Sequence, residues 1–337
     1  MPRSARSARL PLAAVVLTGA VLTAAVALLG GAPGAGAPAS GGPASLAAPV
    51  ALGGPVGTGG PGAPVADPVS GDADRPHVVA LAADEVAATA SFWTPARLAA
   101  ADRATAETVT GPASSLVAAP VRQAARVAPV PHVGRMYMVN ADDTYQTCSA
   151  NAVESANGVT VATAAHCIDD FGAFHAHIAF VPAYEDGRAP FGTWPLAAYA
   201  LPAGWTGVHS PASDTAFFTV SSPTGRTLAA TIGASPVRFG AGRDLATTVY
   251  GYPGLPPYDG RHPLLCRGTA SSDDAPAGQG VACSMNEGAS GGPWFAGDDA
   301  DAPQYSVSTN RSLGSTRLFS PAWGPVIQAA YRAVEAR

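Results

Sequence analysis

The sequence predicts an all-β protein of two packed antiparallel barrels with a helix at its C-terminus. Three observations carry this. From about residue 131 onward, short runs rich in Val, Thr, Tyr and Phe alternate with Gly, Pro, Asn and Asp, the pattern of many short strands joined by turns. The last residues differ: behind Pro325, which can open a helix, Val326, Ile327, Ala330, Tyr331 and Val334 recur at helical spacing. The β-rich stretch is about 205 residues long with no internal repeat, a length that fits one domain of two barrels.

The expected strands are RMYMV (135–139), GVTVATAA (158–165), HIAFVPAY (177–184), TAFFTV (215–220), ATTVYGY (246–252) and QYSVST (304–309). Upstream the texture changes twice. Residues 40–75 are rich in Ala, Gly and Pro, hold almost no large apolar residue and cannot bury a core, so they read as a linker. Residues 76–126 include SFWTPARLAAADRATAETV, where Thr94 suits an N-cap, Pro95 the first helical position, and Phe92, Trp93 and Leu98 supply apolar surface. Two readings stand: a small pro-segment helix docked on the following domain, or a loosely ordered spacer.

The N-terminus reads as an export signal. Arg3, Arg6 and Arg9 precede a wholly apolar or small run at 12–29, and Ala37-Pro38-Ala39 offers a cleavage site. An uncleaved membrane anchor is the competing reading, since 18 such residues just span a bilayer. The 19 basic residues are all Arg, and the net charge is −5 with no basic run beyond the extreme N-terminus, so nothing favours a nucleic-acid partner and none is expected.

Export bears on the four cysteines, Cys148, Cys167, Cys266 and Cys283. Outside the cell disulfides persist, and four cysteines allow three pairings. The local pairs Cys148–Cys167 and Cys266–Cys283 would close loops of under 20 residues, each worth ~3 kcal/mol in the chain-entropy model. A zinc site competes weakly, because no C-x-x-C spacing exists. His175 and His177 have i, i+2 spacing on a strand, but with no third ligand evident they read as two exposed histidines. The acidic run GDDADAP (297–303) reads as a solvated hairpin tip rather than a calcium loop. No metal or other cofactor is expected.

Ser290 lies in NEGASGGPW (286–294). Gly288-Ala289-Ser290-Gly291-Gly292 matches the nucleophile elbow of α/β-hydrolases, yet those enzymes need His after Ser. The last His here is His262, so that reading fails on order. The order His, Asp, Ser remains. VATAAHC (161–167) places His166 just past a strand end, beside a cysteine that can pin the backbone, as a general base requires. Asp214, in SPASDTAFFTV, stands at the mouth of an apolar strand, where a carboxylate needs a partner such as an imidazole N–H.

TAAHC, SDTAFF and GASGGP, in this order, resemble the trypsin/chymotrypsin superfamily of serine peptidases. The region is more closely similar to the secreted bacterial trypsin-like and glutamyl-endopeptidase-like branch, which FVPAY (180–184) and WTPAR (93–97) also resemble. The resemblance covers about residues 131–337, and more loosely 92–98. It implies two packed six-stranded antiparallel barrels and a division into a signal peptide (1–39), a linker and pro-segment (40–130) and a peptidase domain (131–337). It also implies Ser290 as nucleophile, His166 as base and Asp214 as the group that orients His166. The oxyanion hole would be the N–H groups of Gly288 and Ser290, with Gly at 288 because a side chain would obstruct substrate and restrict φ.

Two departures from the family pattern matter. Ala289 stands where many members have the Asp that pairs with a new N-terminus, so activation would instead remove a steric pro-segment, with cleavage expected between Arg126 and Val133. Ser284 falls at the floor of the specificity pocket and is not Asp, and the far wall, Val307-Ser308-Thr309-Asn310, holds no His. Preference for Arg, Lys or Glu at the cleaved bond is therefore not expected. The functional expectation is a secreted monomeric serine endopeptidase acting on protein or peptide substrates, without stable membrane association once the signal is cut. The competitors are an inactive binding or adhesion module on the same fold, and a membrane-tethered protease should the anchor remain.

Overall fold

Six strands close into a barrel. In the computed structural model the described residues are 75–107, 123–272, 278–309 and 316–337. The expected signal peptide with its expected cleavage site, nearly all of the expected linker, and Asn310 lie outside them. All described residues fall in one compact unit, Ala66–Arg337. The chain enters through β1 (His77–Ala80), α1 (Ala83–Phe92) and α2 (Pro95–Glu107), then β2 (Ala125–Arg126).

The first barrel is built from β3 (Val133–Val139), β4 (Tyr145–Ala152) and β5 (Thr160–Thr163), followed by β8 (Ala176–Pro182), β9 (Trp194–Leu201) and β10 (Ala216–Val220). A small ribbon, β6 (Asp169–Asp170) with β7 (Ala173–Phe174), lies between. Antiparallel pairing runs β9-β10-β5-β4-β3-β8, and β8 returns to β9 to close the circle; β1 adds a seventh strand on β9. The alternation of side chains along a strand explains β10. Phe218 points inward to the cluster of Trp194, Leu196 and Val161, while Phe217 points outward to Trp323 and Tyr331.

The second half carries β11 (Ala246–Gly251), β12 (Leu264–Thr269), β13 (Gln279–Ala282), β14 (Pro293–Phe295), β15 (Gln304–Val307) and β16 (Arg317–Ser320). These six strands surround a second core that includes Val249, Cys266, Cys283 and Trp294. Their hydrogen bonding runs as a five-stranded sheet, β15-β14-β11-β12-β2, and a ribbon β13-β16, linked through the Ser271–Gly280 bridge. The fold is therefore the expected all-β pair of barrels, with one barrel fully closed by hydrogen bonds among the described residues. Short helices α3 (Ala203–Val208) and α4 (Leu228–Ile232) decorate the first barrel, and α5 (Pro325–Glu335) ends the chain.

The six expected strands all form, within a few residues of the expected bounds. Strand β4 (YQTCSANA) and β9 (WPLAAYAL) escape the sequence reading because one is polar and the other is rich in Ala and carries Pro195. Helix α5 buries Ile327, Ala330, Tyr331 and Val334 as expected, but Val326 is exposed and belongs to the solvent face. Both disulfides are the local ones, Cys148–Cys167 and Cys266–Cys283. The 297–303 acidic run lies in the β14–β15 hairpin connection.

The stretch around Trp93 is not a loose spacer. Thr94 Oγ1 accepts the Arg97 N–H at the start of α2, and Trp93, Leu98 and Ala101 are buried in one cluster with Val133, Tyr137 and Tyr184. Asp102 reaches into that cluster and pairs with the fully buried Arg135 at 2.8 Å.

A polar network joins the two halves. Buried His132 Nδ1 meets Asn151 Oδ1 at 2.8 Å and Ser235 Oγ at 3.1 Å, and Asn151 Nδ2 donates to Gln304 Oε1 at 2.8 Å. Burial lowers the His132 pKa below its ordinary 6.5, so the native form is neutral. The unfolded chain takes up the proton that the native state refuses, so this group destabilises the fold progressively as pH falls below about 6.5. His166 acts with the opposite sign, because its pKa is raised. A His132→Asn variant isolates the first effect: its melting temperature should fall less steeply than wild type between about pH 7 and 5.

Candidate active site

Strand β5 ends at Thr163, and a single 3-10 turn, Ala165–Cys167, carries His166 outward. The Cys148–Cys167 disulfide ties that turn to β4. Asp214 closes a second 3-10 turn, Pro211–Ser213, just ahead of β10. Because β10 pairs with β5, Ala216 lying opposite Thr163, the two turns emerge side by side. Asp214 accepts twice from His166: Oδ1 from the backbone N–H at 3.0 Å and Oδ2 from ring Nδ1 at 2.8 Å. The carboxylate is buried, and the imidazole keeps only 18% of its surface exposed. Burial works to lower the His166 pKa, but attraction to Asp214 and the hydrogen bond outweigh it, and Asp170 adds to them, so the net shift is upward. With Nδ1 committed to Asp214, Nε2 is the ring atom left to exchange a proton.

Ser290 comes from the other half of the chain. It sits in the turn before β14, and both Ser290 and His166 line one cleft of about 720 Å³. Ser290 Oγ donates to the Thr309 carbonyl at 3.3 Å. In this rotamer Ser290 Oγ makes no hydrogen bond to His166.

The turn itself is fixed by its glycines. Gly288 has φ +92°, and a Cβ there would stand 2.6 Å from the Tyr252 carbonyl oxygen. The first obstacle to a side chain is thus the chain behind it, not a substrate in front. Gly291, at φ +78°, is tighter still, since its Cβ would meet Thr163 Oγ1 at 2.1 Å and the Ser149 carbonyl at 2.2 Å. Gly291→Ala is expected to lose well over ~2 kcal/mol of stability through strain and overpacking, read as a drop in melting temperature.

The peptide between Glu287 and Gly288 has a fixed orientation. The Glu287 carbonyl accepts from Gly254 N–H at 2.7 Å. In a trans peptide the N–H points away from the carbonyl, so the Gly288 N–H points away from Gly254. Among the described residues neither the Gly288 nor the Ser290 N–H has a hydrogen-bond partner. Ser149 braces the turn from behind: its Oγ donates to the Gly288 carbonyl and accepts from the Tyr252 N–H, each at 2.8 Å. The arrangement offers a hydroxyl, an imidazole paired to a carboxylate, and two unpaired donors at one cleft, the constellation that acyl transfer needs.

The pocket residues divide. Ser284 is buried, and its Oγ accepts the Ala124 N–H at 2.8 Å and bonds the Tyr258 hydroxyl. Ser308 is fully buried and its Oγ accepts from Trp294 Nε1 at 3.0 Å, so the structure turns this side chain into the core rather than toward the cleft. Ser308 follows the end of β15, in a stretch (304–309) that is buried throughout. His175 and His177 are not exposed as expected. His175 Nε2 lies 3.3 Å from the His166 carbonyl, and the His177 ring stacks on Phe92 with centroids 4.1 Å apart. Sequence reasoning missed Ser149, His175 and the Asp102–Arg135 pair. The first two stand beside motif residues in space but carry no motif of their own.

No protein-family model matches the chain, and no curated protein matches it. Solved structures do. The protease Anisep from Arthrobacter nicotinovorans is 37% identical with a TM-score of 0.61, covering 63% of this chain and 99% of that one. The chain belongs to the trypsin-like serine peptidases. A thermostable serine protease, AL20, from an extremophilic microorganism is 33% identical at TM-score 0.58, over 61% of this chain and 98% of the other. A Glu endopeptidase crystallised with MPD shares the fold at 17% identity and TM-score 0.51, over 64% of this chain and 97% of that one. Since 99% of Anisep is matched by 63% of this peptidase, over a third of the present chain has no counterpart there.

Proposed function

We propose that this peptidase is a secreted serine endopeptidase that hydrolyses peptide bonds through an acyl-enzyme. Ser290 Oγ attacks the scissile carbonyl carbon while His166 Nε2 takes its proton. Asp214 holds the tautomer and stabilises the imidazolium, and the N–H groups of Gly288 and Ser290 bind the tetrahedral oxyanion. His166 then gives its proton to the leaving amine, and water repeats the sequence to release the acid. The observation that carries the reading is the doubly bonded His166–Asp214 pair opening onto the same cleft as Ser290. Export is supported by the basic and apolar N-terminus and by the two disulfides.

The test is covalent. The full chain, exported and folded, is treated with a fluorophosphonate and weighed intact beside Ser290→Ala. One adduct on wild type and none on the variant is the expected result. A folded, processed protein that takes no adduct would instead be the non-catalytic binding module.

Two further outcomes follow from the same reading. The neutral imidazole is the working base, and its pKa is raised, so kcat/KM should fall on the acid side with a midpoint above 6.5. A midpoint below 6.5 would contradict the His166–Asp214 pairing in solution. The pocket floor at Ser284 is polar and uncharged, so peptides with Arg before the scissile bond should be cut about tenfold or more slowly than those with a neutral residue. A series of peptides varied at that position measures it.

A further inference from the structure

The module of β1, α1 and α2 docks as part of the peptidase. Strand β1 pairs with β9 over four residues, His77 to Ala80. Trp93 Nε1 donates to the His177 carbonyl, and the Trp93, Leu98 and Ala101 side chains belong to the core cluster that also holds Tyr250, Tyr252 and Phe295 of the second half. Asp102 carries the deepest contact. Its Oδ1 accepts from the Tyr137 hydroxyl at 2.9 Å and pairs with Arg135 at 2.8 Å, and its Oδ2 accepts from the Tyr184 hydroxyl. Arg135 has no exposure at all, and its remaining acceptors are the neutral Gly260 carbonyl and Thr147 hydroxyl. If the module left, a buried cation would lose its counter-ion and two buried phenols their acceptor.

The module also does not need to leave for substrate to enter. The cleft at Ser290 and His166 is open at about 720 Å³ with α2 in place, and Ala104 and Thr105 form part of its wall. The far end of α2 reaches Gly254, whose N–H bonds the Glu287 carbonyl of the turn, for a Cβ on Gly254 would come within 2.5 Å of Thr105 Cγ2. The other walls are Tyr145, Gln146 and Cys148 of β4, with Leu255 and Glu287 opposite. Neither Ser284 nor β15 lines this cleft. It therefore lies on the side of Ser290 where His166 hands a proton to the leaving amine. Its charged side chains, His166 apart, are Asp142 and Glu287, both acidic. Thr144 donates to Asp142 from hydroxyl and N–H and holds that carboxyl below its usual range.

Building on the endopeptidase reading above, we infer that residues 75–107 remain docked on the mature enzyme. There α2 forms the leaving-group wall of the cleft, with Thr105 a specificity-determining residue, and the cleft accepts basic residues after the scissile bond. The role is that of a resident wall, not of a steric plug removed on activation. A cut between Glu107 and Gln123 leaves the module held by its contacts.

Native mass spectrometry of the exported, fluorophosphonate-labelled full chain tests residence. The labelled species should carry residues 75–107 in one-to-one ratio, whether as one chain or as two that part only on denaturation. A labelled enzyme without those residues would overturn the inference and leave the endopeptidase reading intact. A folded chain that takes no label removes that reading, and this one with it. The second arm is a peptide series identical before the scissile bond and varied after it. Wild type should favour Arg over Glu on that side by about tenfold or more, and Thr105→Trp should reorder the preferences after the bond while the order before it is kept. A Thr105→Trp profile identical to wild type on the leaving side would overturn the role of α2.

Discussion

Asp214→Asn is expected to lower kcat about 10⁴-fold, the fall established for the corresponding exchange in the family's template enzyme, with KM little altered. The geometry gives the reason. Asp214 uses its two oxygens on one residue, Oδ1 on the His166 backbone N–H and Oδ2 on Nδ1. An amide can keep the first bond. At the second site its NH₂ group would face Nδ1 and favour the tautomer that places the proton on Nε2. A base already protonated on Nε2 cannot take the Ser290 proton. The loss should therefore appear in the chemical step and not in binding. Steady-state kinetics on a peptide amide, with folding checked by the melting temperature, measures it. A variant that retains more than a tenth of wild-type kcat would exclude Asp214 from the role.

The second large effect is on stability. Asp102→Ala should cost about 3–5 kcal/mol, because it breaks a buried ion pair from one side only. Arg135 would stay charged with no exposure, its Nε already lacking a partner, and the Tyr137 and Tyr184 hydroxyls would lose their acceptor. Replacing the pair together is predicted to be milder. Asp102→Leu with Arg135→Met removes both charges at once, and an apolar pair of similar volume is often neutral by comparison. Denaturant unfolding of the two single variants and the double variant gives the coupling directly. A single Asp102→Ala variant within about 0.5 kcal/mol of wild type would show that α2 is not seated on Arg135 in solution.

Much of this architecture is legible in local chemistry. Runs such as TAFFTV and ATTVYGY become β10 and β11 because β-branched and aromatic residues suit a pleated surface wherever one face is buried. GASGG makes the turn it announces, since only residues without a side chain fit against the Tyr252, Ser149 and Tyr250 carbonyls. The local cysteine pairs lie near in sequence, and they are near in space. In the same way, Thr94-Pro95 opens α2 because capping is a matter of a few neighbouring atoms.

What local chemistry cannot express is which distant faces meet. Asp102 carries no motif of its own, and its partner is fixed only when α2 is laid on β4 and its carboxylate enters a site with a buried guanidinium. Ser308 reads as a pocket residue from the family resemblance, yet its hydroxyl is bonded in the core to Trp294. His175 reads as exposed, and the packing of the ribbon β6–β7 brings it against the His166 carbonyl. The sequence by itself therefore determined the strand-rich class, the three separate motifs around His166, Asp214 and Ser290 and the glycine turn, each of which depends on residues within a few positions of one another. Only the tertiary structure decided that His166 and Asp214 meet, that Ser290 shares their cleft and that the N-terminal module forms one of its walls. Those depend on long-range register and on buried charge, and both are settled only when the whole chain packs.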